Sequence, residues 1–269
     1  MADRRGSIRF VAVTTLLALA SACNAMYGPT RLDQNWLAFD SAHFTLYVRP
    51  GSFAETNQAR LIEVLEDQYA FTLAALGVQY EGRISAFCHT DAGDGALSSN
   101  YSGVAYAGTE AVRATCPGPL DGNLFALLQH EANHVLQRNT LGRPGTSFAN
   151  EGLPSAVGST RFHSYGKDFL YSWTAAHLAS IPPLAQLVDD EQWNGSEVAY
   201  KSAASFLAYL LDRAGPASIR ALYQTPSASF ESNDARKHVD AMRRHRDHVV
   251  AQIVELELRQ DELLDRLVR

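Results

Sequence analysis

His130-Glu131-Ala132-Asn133-His134 lies inside the apolar stretch Leu124 to Gln137, which has strong helical character. On a helix, residues four apart sit one turn above each other, so the two imidazoles converge on a single point. That arrangement suits Zn²⁺, whose bonds to imidazole nitrogen are about 2.0–2.1 Å long. Glu131 stands beside the same face, able to reach a water at the metal without ligating it. Any fold this chain adopts must therefore keep a helix over about 121–139 and leave one side of it open to a cation.

The segments before that helix read as strands and one helix. His43 to Val48 alternates, is β-rich and is stopped by Pro50-Gly51. Leu61, Ile62, Leu65, Tyr69, Leu73 and Leu76 recur every three or four positions, and Gly77 follows them, so the region from Phe53 to Leu76 is a helix. Arg83–His89, Gly103–Ala107 and Glu110–Thr115 are short strands, with a polar loop between Thr90 and Ser99. After Gly142-Arg143-Pro144-Gly145 helical patterns dominate, near Asn150–Phe162, Lys167–Leu178, Glu197–Ala214 and Pro216–Tyr223. Residues 231–269 lack Gly and Pro and carry a stripe from Val239 to Leu267, a long amphipathic helix. Strands early and helices late give an α+β class: a small N-terminal sheet followed by a mostly helical half.

The N-terminus reads as an export signal. Arg4, Arg5 and Arg9 precede an apolar run, Phe10 to Ala20, which the small residues Ser21-Ala22-Cys23 follow. That run is shorter than the roughly 20 apolar residues a spanning helix needs. Leu19 to Cys23 resembles a bacterial lipobox, which would attach the chain to a membrane through a lipidated Cys23; ordinary cleavage after Ala22 is the competing outcome. The parts are then a signal at 1–22, a tether at 23–40, the main domain at 41–230 and the C-terminal helix at 231–269. Export to the bacterial envelope, the periplasm or the medium is expected. Removing Cys23 leaves Cys88 and Cys116, an even pair that suggests a disulfide in an oxidising compartment. With a formal charge of −6 and a pI near 5.8, no basic block exists to neutralise phosphates, so nucleic acid is not an expected partner.

A third ligand follows seventeen residues after His134, in Phe148-Ala149-Asn150-Glu151-Gly152-Leu153. Here the chain resembles the gluzincin zinc metallopeptidases, the group that includes thermolysin and the aminopeptidase-N type and also small bacterial peptidase domains. The resemblance runs loosely from His43 to Tyr223. It implies a thermolysin/aminopeptidase-like fold with Zn²⁺ held by His130, His134 and Glu151, and Glu131 as general base. Val198-Ala199-Tyr200-Lys201 looks like the segment whose tyrosine donates to the oxyanion, which makes Tyr200 a second catalytic candidate; Tyr165, Tyr171 and Tyr209 are weaker ones. His163 and His177 are further residues within reach of a cleft. The substrate implied is a peptide or protein, cleaved internally rather than from its N-terminus, because no Gly-x-Met-Glu-Asn segment is present to hold a free amine. Glu110–Thr115 is the candidate edge strand for pairing with an extended peptide. Ser155 stands where thermolysin-like members have an Asp that orients a ligand imidazole, so the partner of that imidazole is open. Two readings compete: an inactive binding or scaffold lipoprotein of the same fold, and a structural metal site. The second fits poorly, because structural zinc is usually four-coordinate and Cys-rich.

Overall fold

The computed structural model describes residues 35–91, 103–106 and 110–226, with isolated positions 244 and 251. The export signal, most of the tether, the loop after Thr90 and the helix expected over 231–269 lie outside the described residues. None of the helices described is long and apolar enough to cross a membrane.

The chain is α+β, with a five-stranded mixed sheet preceding a mostly helical half. The sheet begins inside the segment read as a tether: β1 (Leu37–Asp40) pairs antiparallel with β2 (Phe44–Val48). Two helices, α1 (Phe53–Thr56) and α2 (Gln58–Leu76), then cross over to β3 (Ile84–His89), which lies parallel to β2. The expected single helix from Phe53 is thus split at Asn57, which closes α1 with backbone and side-chain bonds to Phe53 O. Gly77 ends α2 with φ +59°, the left-handed cap expected of a glycine there. β4 (Gly103–Tyr106) and β5 (Ala111–Thr115) complete the order β1-β2-β3-β5-β4. One expectation is overturned here. Residues 111–115 pair on both sides, parallel to β3 and antiparallel to β4, so the outer strand beside the candidate site is β4.

Period-two alternation explains which face of the sheet is covered. Phe44, Leu46 and Val48 of β2 are fully buried, together with Ile84, Ala86 and Cys88 of β3 and Val112 and Ala114 of β5. Against them pack Leu61, Leu65 and Tyr69 of α2 and Leu128, Ala132 and Leu136 of α3 (Gly122–Leu141). Each leucine hidden in this way contributes about 1.5–3 kcal/mol. Cys88 and Cys116 are buried free cysteines whose sulfurs lie 2.7 Å apart, brought together where Cys116 N–H bonds to His89 O.

α3 starts on Asp121, whose Oδ1 accepts from the N–H groups of Asn123 and Leu124. A second core forms between α4 (Ser147–Ala156) and α7 (Glu197–Tyr223), around Phe148, Leu153, Phe206 and Leu207. α4 starts earlier than the expected Asn150 because Thr146 is its cap, accepting from Ala149 N–H. Pro154 therefore falls within the helix rather than in its first turn. α5 (Lys167–Ala176) and α6 (Leu184–Val188) lie between α4 and α7 in the chain. Gly215, at φ +75°, breaks α7 where the two helical patterns meet.

A buried amide network ties these parts together. Asn133, between the two motif histidines, donates from Nδ2 to Pro154 O of α4 at 2.8 Å and accepts at Oδ1 from Gln68 Nε2 and Thr72 Oγ1 of α2. Gln68 also donates to Val157 O and accepts from Ser159 N–H. Asn133 and Gln68 are wholly buried, so removing one partner strands the others at about 1–3 kcal/mol. Asn133→Ala is expected to lower the urea-unfolding free energy by at least that range, while Asn139→Ala, on the exposed side of α3, changes it by less than about 0.5 kcal/mol.

Candidate metal centre

The helix brings His130 and His134 together as their spacing requires: their Nε2 atoms are 3.0 Å apart. Glu151 reaches the same point from α4, with Oε2 3.4 Å from each Nε2. The three donors form a group that could hold a metal ion. With bonds of about 2.0–2.1 Å, adjacent corners of a tetrahedral zinc site are about 3.3–3.4 Å apart. The two 3.4 Å separations match that edge, and the imidazole pair at 3.0 Å is somewhat closer. The donor set is two imidazoles and one carboxylate, with no thiolate, which suits a divalent transition metal such as zinc.

Two of the three donors are held from behind. His130 Nδ1 lies 3.0 Å from Ser155 Oγ. An imidazole that ligates through Nε2 carries its proton on Nδ1, so with a metal bound this contact would be a donation to the serine hydroxyl that fixes tautomer and ring orientation. Ser155 thus supplies the orienting partner left open by the sequence, and the departure from an Asp at that position changes the acceptor rather than removing it. Glu151 Oε1 accepts from Asn150 Nδ2 at 2.6 Å, leaving Oε2 for the imidazoles. Gly152 lets α4 pack closely on α7. A Cβ there would stand 2.7 Å from Ala203 Cβ and 2.9 Å from Leu207 Cδ1 of α7. Burial alone would raise the pKa of Glu151, but hydrogen bonds and charge from His130 and His134 outweigh it and hold the carboxyl well below the usual range.

Glu131 sits on the adjoining side of α3, buried beneath β4. A Cβ on Gly103 would lie 2.9 Å from Glu131 Cγ, so only glycine lets the outer strand approach this closely. Burial pushes the Glu131 carboxyl up to about 7; His130 lowers it, Glu151 raises it, and the Ala105 backbone N–H lowers it by hydrogen bonding. A carboxyl tuned near neutrality is suited to taking and returning a proton.

Tyr200 lies in the first turn of α7, which Ser196 caps, with its ring centroid 6.4 Å from that of His130. Both line a cavity of about 720 Å³ that also includes Ser155, His163 and Tyr165. The other candidates do not line it: Tyr171 and Tyr209 cluster with Ala208, and His177 stacks on Trp173. Gln129 and Asn123, also in the lining, were not legible as site residues, because an amide on a helix carries no motif. Scans of protein-family models and of curated proteins give no match to this chain.

One divalent zinc per chain is the expected stoichiometry by atomic absorption after dialysis. Glu151→Ala should abolish retention, whereas Ser155→Ala should keep the stoichiometry and weaken affinity about 10–100-fold in a chelator competition.

Proposed function

We propose that this chain is an exported zinc-dependent peptidase of the gluzincin type, acting on internal bonds of peptide or protein substrates. The observation that carries the reading is the meeting of His130, His134 and Glu151 at tetrahedral separations beside a buried carboxylate on the same helix. Zinc held there would supply Lewis-acid polarisation of a carbonyl and a water acidified towards neutrality. The roles of the protein groups follow from their positions. Glu131 takes the proton of the attacking water on its carboxylate and passes it to the leaving amine. Tyr200 donates its hydroxyl proton in a hydrogen bond to the carbonyl oxygen as charge builds there. Ser155, through His130, keeps the imidazole from rotating as that charge develops. An extended substrate pairs with β4, the outer strand against Glu131, and the absence of a free-amine anchor in the sequence favours internal cleavage.

Export through the 1–22 signal delivers the chain to the envelope, either tethered by a lipidated Cys23 or released. In that oxidising setting the adjoining sulfurs of Cys88 and Cys116 form a disulfide across β3 and the end of β5. An inactive scaffold of the same fold has no need of a carboxylate buried under β4 beside the metal donors, so Glu131 favours the enzyme. Glu131→Gln separates the two. With zinc content and thermal midpoint preserved, cleavage of a mixed unstructured peptide library should fall by at least about a thousandfold, some 4 kcal/mol of barrier. Cleavage at the wild-type rate would remove Glu131 from the chemistry, and a zinc-loaded wild type that cuts nothing would leave the scaffold reading standing.

A further inference from the structure

The cavity beside the metal triad has a chemistry of its own. Its wall is formed partly by the α3 face that carries Asn123 and Gln129, and partly by Tyr165 and Phe169 beyond α4. The orientation of the Gln129 amide is fixed by a chain of hydrogen bonds. Tyr165 N–H donates to His163 Nδ1 at 3.0 Å, so the imidazole proton is on Nε2. That Nε2–H, 2.5 Å from Gln129 Oε1, donates to the amide oxygen. The amide nitrogen of Gln129 is then left as a donor, and among the described residues it has no hydrogen-bond partner although the side chain is 1% exposed. Buried amide donors are normally paired, so an unpaired one in a cavity wall points to an acceptor supplied from outside. Asn123, six residues earlier on the same helix, repeats the pattern: its Oδ1 accepts from Tyr165 O–H at 2.9 Å, which leaves its NH₂ as a donor.

Two further features shape what fits. Gly122 makes room for His163, since a Cβ there would stand 3.2 Å from His163 Cβ. The one carboxylate in the lining, Glu197, is bound by Lys201 at 2.5 Å, and that ammonium lies 5.1 Å over the Phe169 ring. No carboxylate in the lining is therefore left to attract a cation, while two residues with spare amide donors, Gln129 and Asn123, share the lining with Tyr165 and Phe169.

We infer that this cavity is the pocket for a substrate side chain ending in a carbonyl-type acceptor, glutamine or glutamate, read by the amide nitrogens of Gln129 and Asn123 with Tyr165 and Phe169 enclosing its stem. The inference rests on the peptidase reading for its substrate class. It makes Gln129 and Asn123 specificity-determining residues, and it makes lysine and arginine the poorest occupants, because their donors would meet donors.

The test is calorimetric binding of short peptide hydroxamates, with Gln, Glu, Leu or Lys at the varied side chain, to the zinc-loaded full chain. Gln or Glu should bind about tenfold more tightly than Leu, and Lys more weakly than Leu. In Gln129→Met, with zinc content and circular dichroism checked, the acceptor-over-Leu ratio should fall to within about twofold. Should that variant fail to fold, Asn123→Leu, in the exposed first turn of α3, carries the test and should reduce the ratio about threefold. Equal binding of all four probes, tightest binding of Lys, a ratio that survives Gln129→Met, or no binding to zinc-loaded protein would overturn the pocket. A Gln or Glu preference without peptide cleavage would leave the pocket standing and remove the peptidase; cleavage without the preference would do the reverse.

Discussion

The arrangement depends on α4 being held within bonding distance of α3. Helical spacing alone brings His130 and His134 together, but the third donor belongs to another helix and must be carried there. Two devices do this. Asn133 fastens the end of α4 to α3 and α2 through buried hydrogen bonds, and Gly152 lets α4 lie directly on α7, which fixes the helix that carries Glu151. Both positions sit next to ligands in the chain. Their tight packing is the cost of a site whose donors are preset, and preset donors need little reorganisation when a cation binds.

The same economy appears around Glu131. It shares α3 with two ligands, yet its environment differs because β4 covers it. A strand with a side chain at position 103 would have to stand off, and the carboxylate would be wetter and more acidic. The neighbouring carboxylates thus diverge: Glu151, hydrogen-bonded to two imidazoles, stays ionised, while Glu131, buried under a strand, is raised to about 7. On the proposed reading, the ionised carboxyl is the one suited to ligation and the raised one to proton transfer.

Much of this was legible in the sequence, for identifiable reasons. Strict spacing on a helix, as with His130 and His134, is written in the chain itself, and so is the alternation of β2 and the left-handed cap at Gly77. Glu151 was legible only with the Asn-Glu-Gly context around it. What escaped depends on contacts between distant segments. The pairing of β5 on both sides made β4 the outer strand, which no local pattern encodes. The start of α4 was displaced because Thr146 caps better in place than Asn150, whose side chain is engaged by Glu151. Ser155 read as a departure from a pattern, yet it bonds His130 because one turn of helix carries it from Glu151 to the back of the imidazole. The amides of Gln129 and Asn123 gain meaning only from His163 and Tyr165, more than thirty residues away in the chain.

X-ray absorption at the zinc edge on protein purified without added metal tests the central claim most directly. The account predicts a first shell of nitrogen and oxygen only, at about 2.0–2.1 Å, with the outer scattering of two imidazoles. A sulfur shell at about 2.3 Å, which would point to Cys88 and Cys116, or a shell with no imidazole scattering, would contradict it.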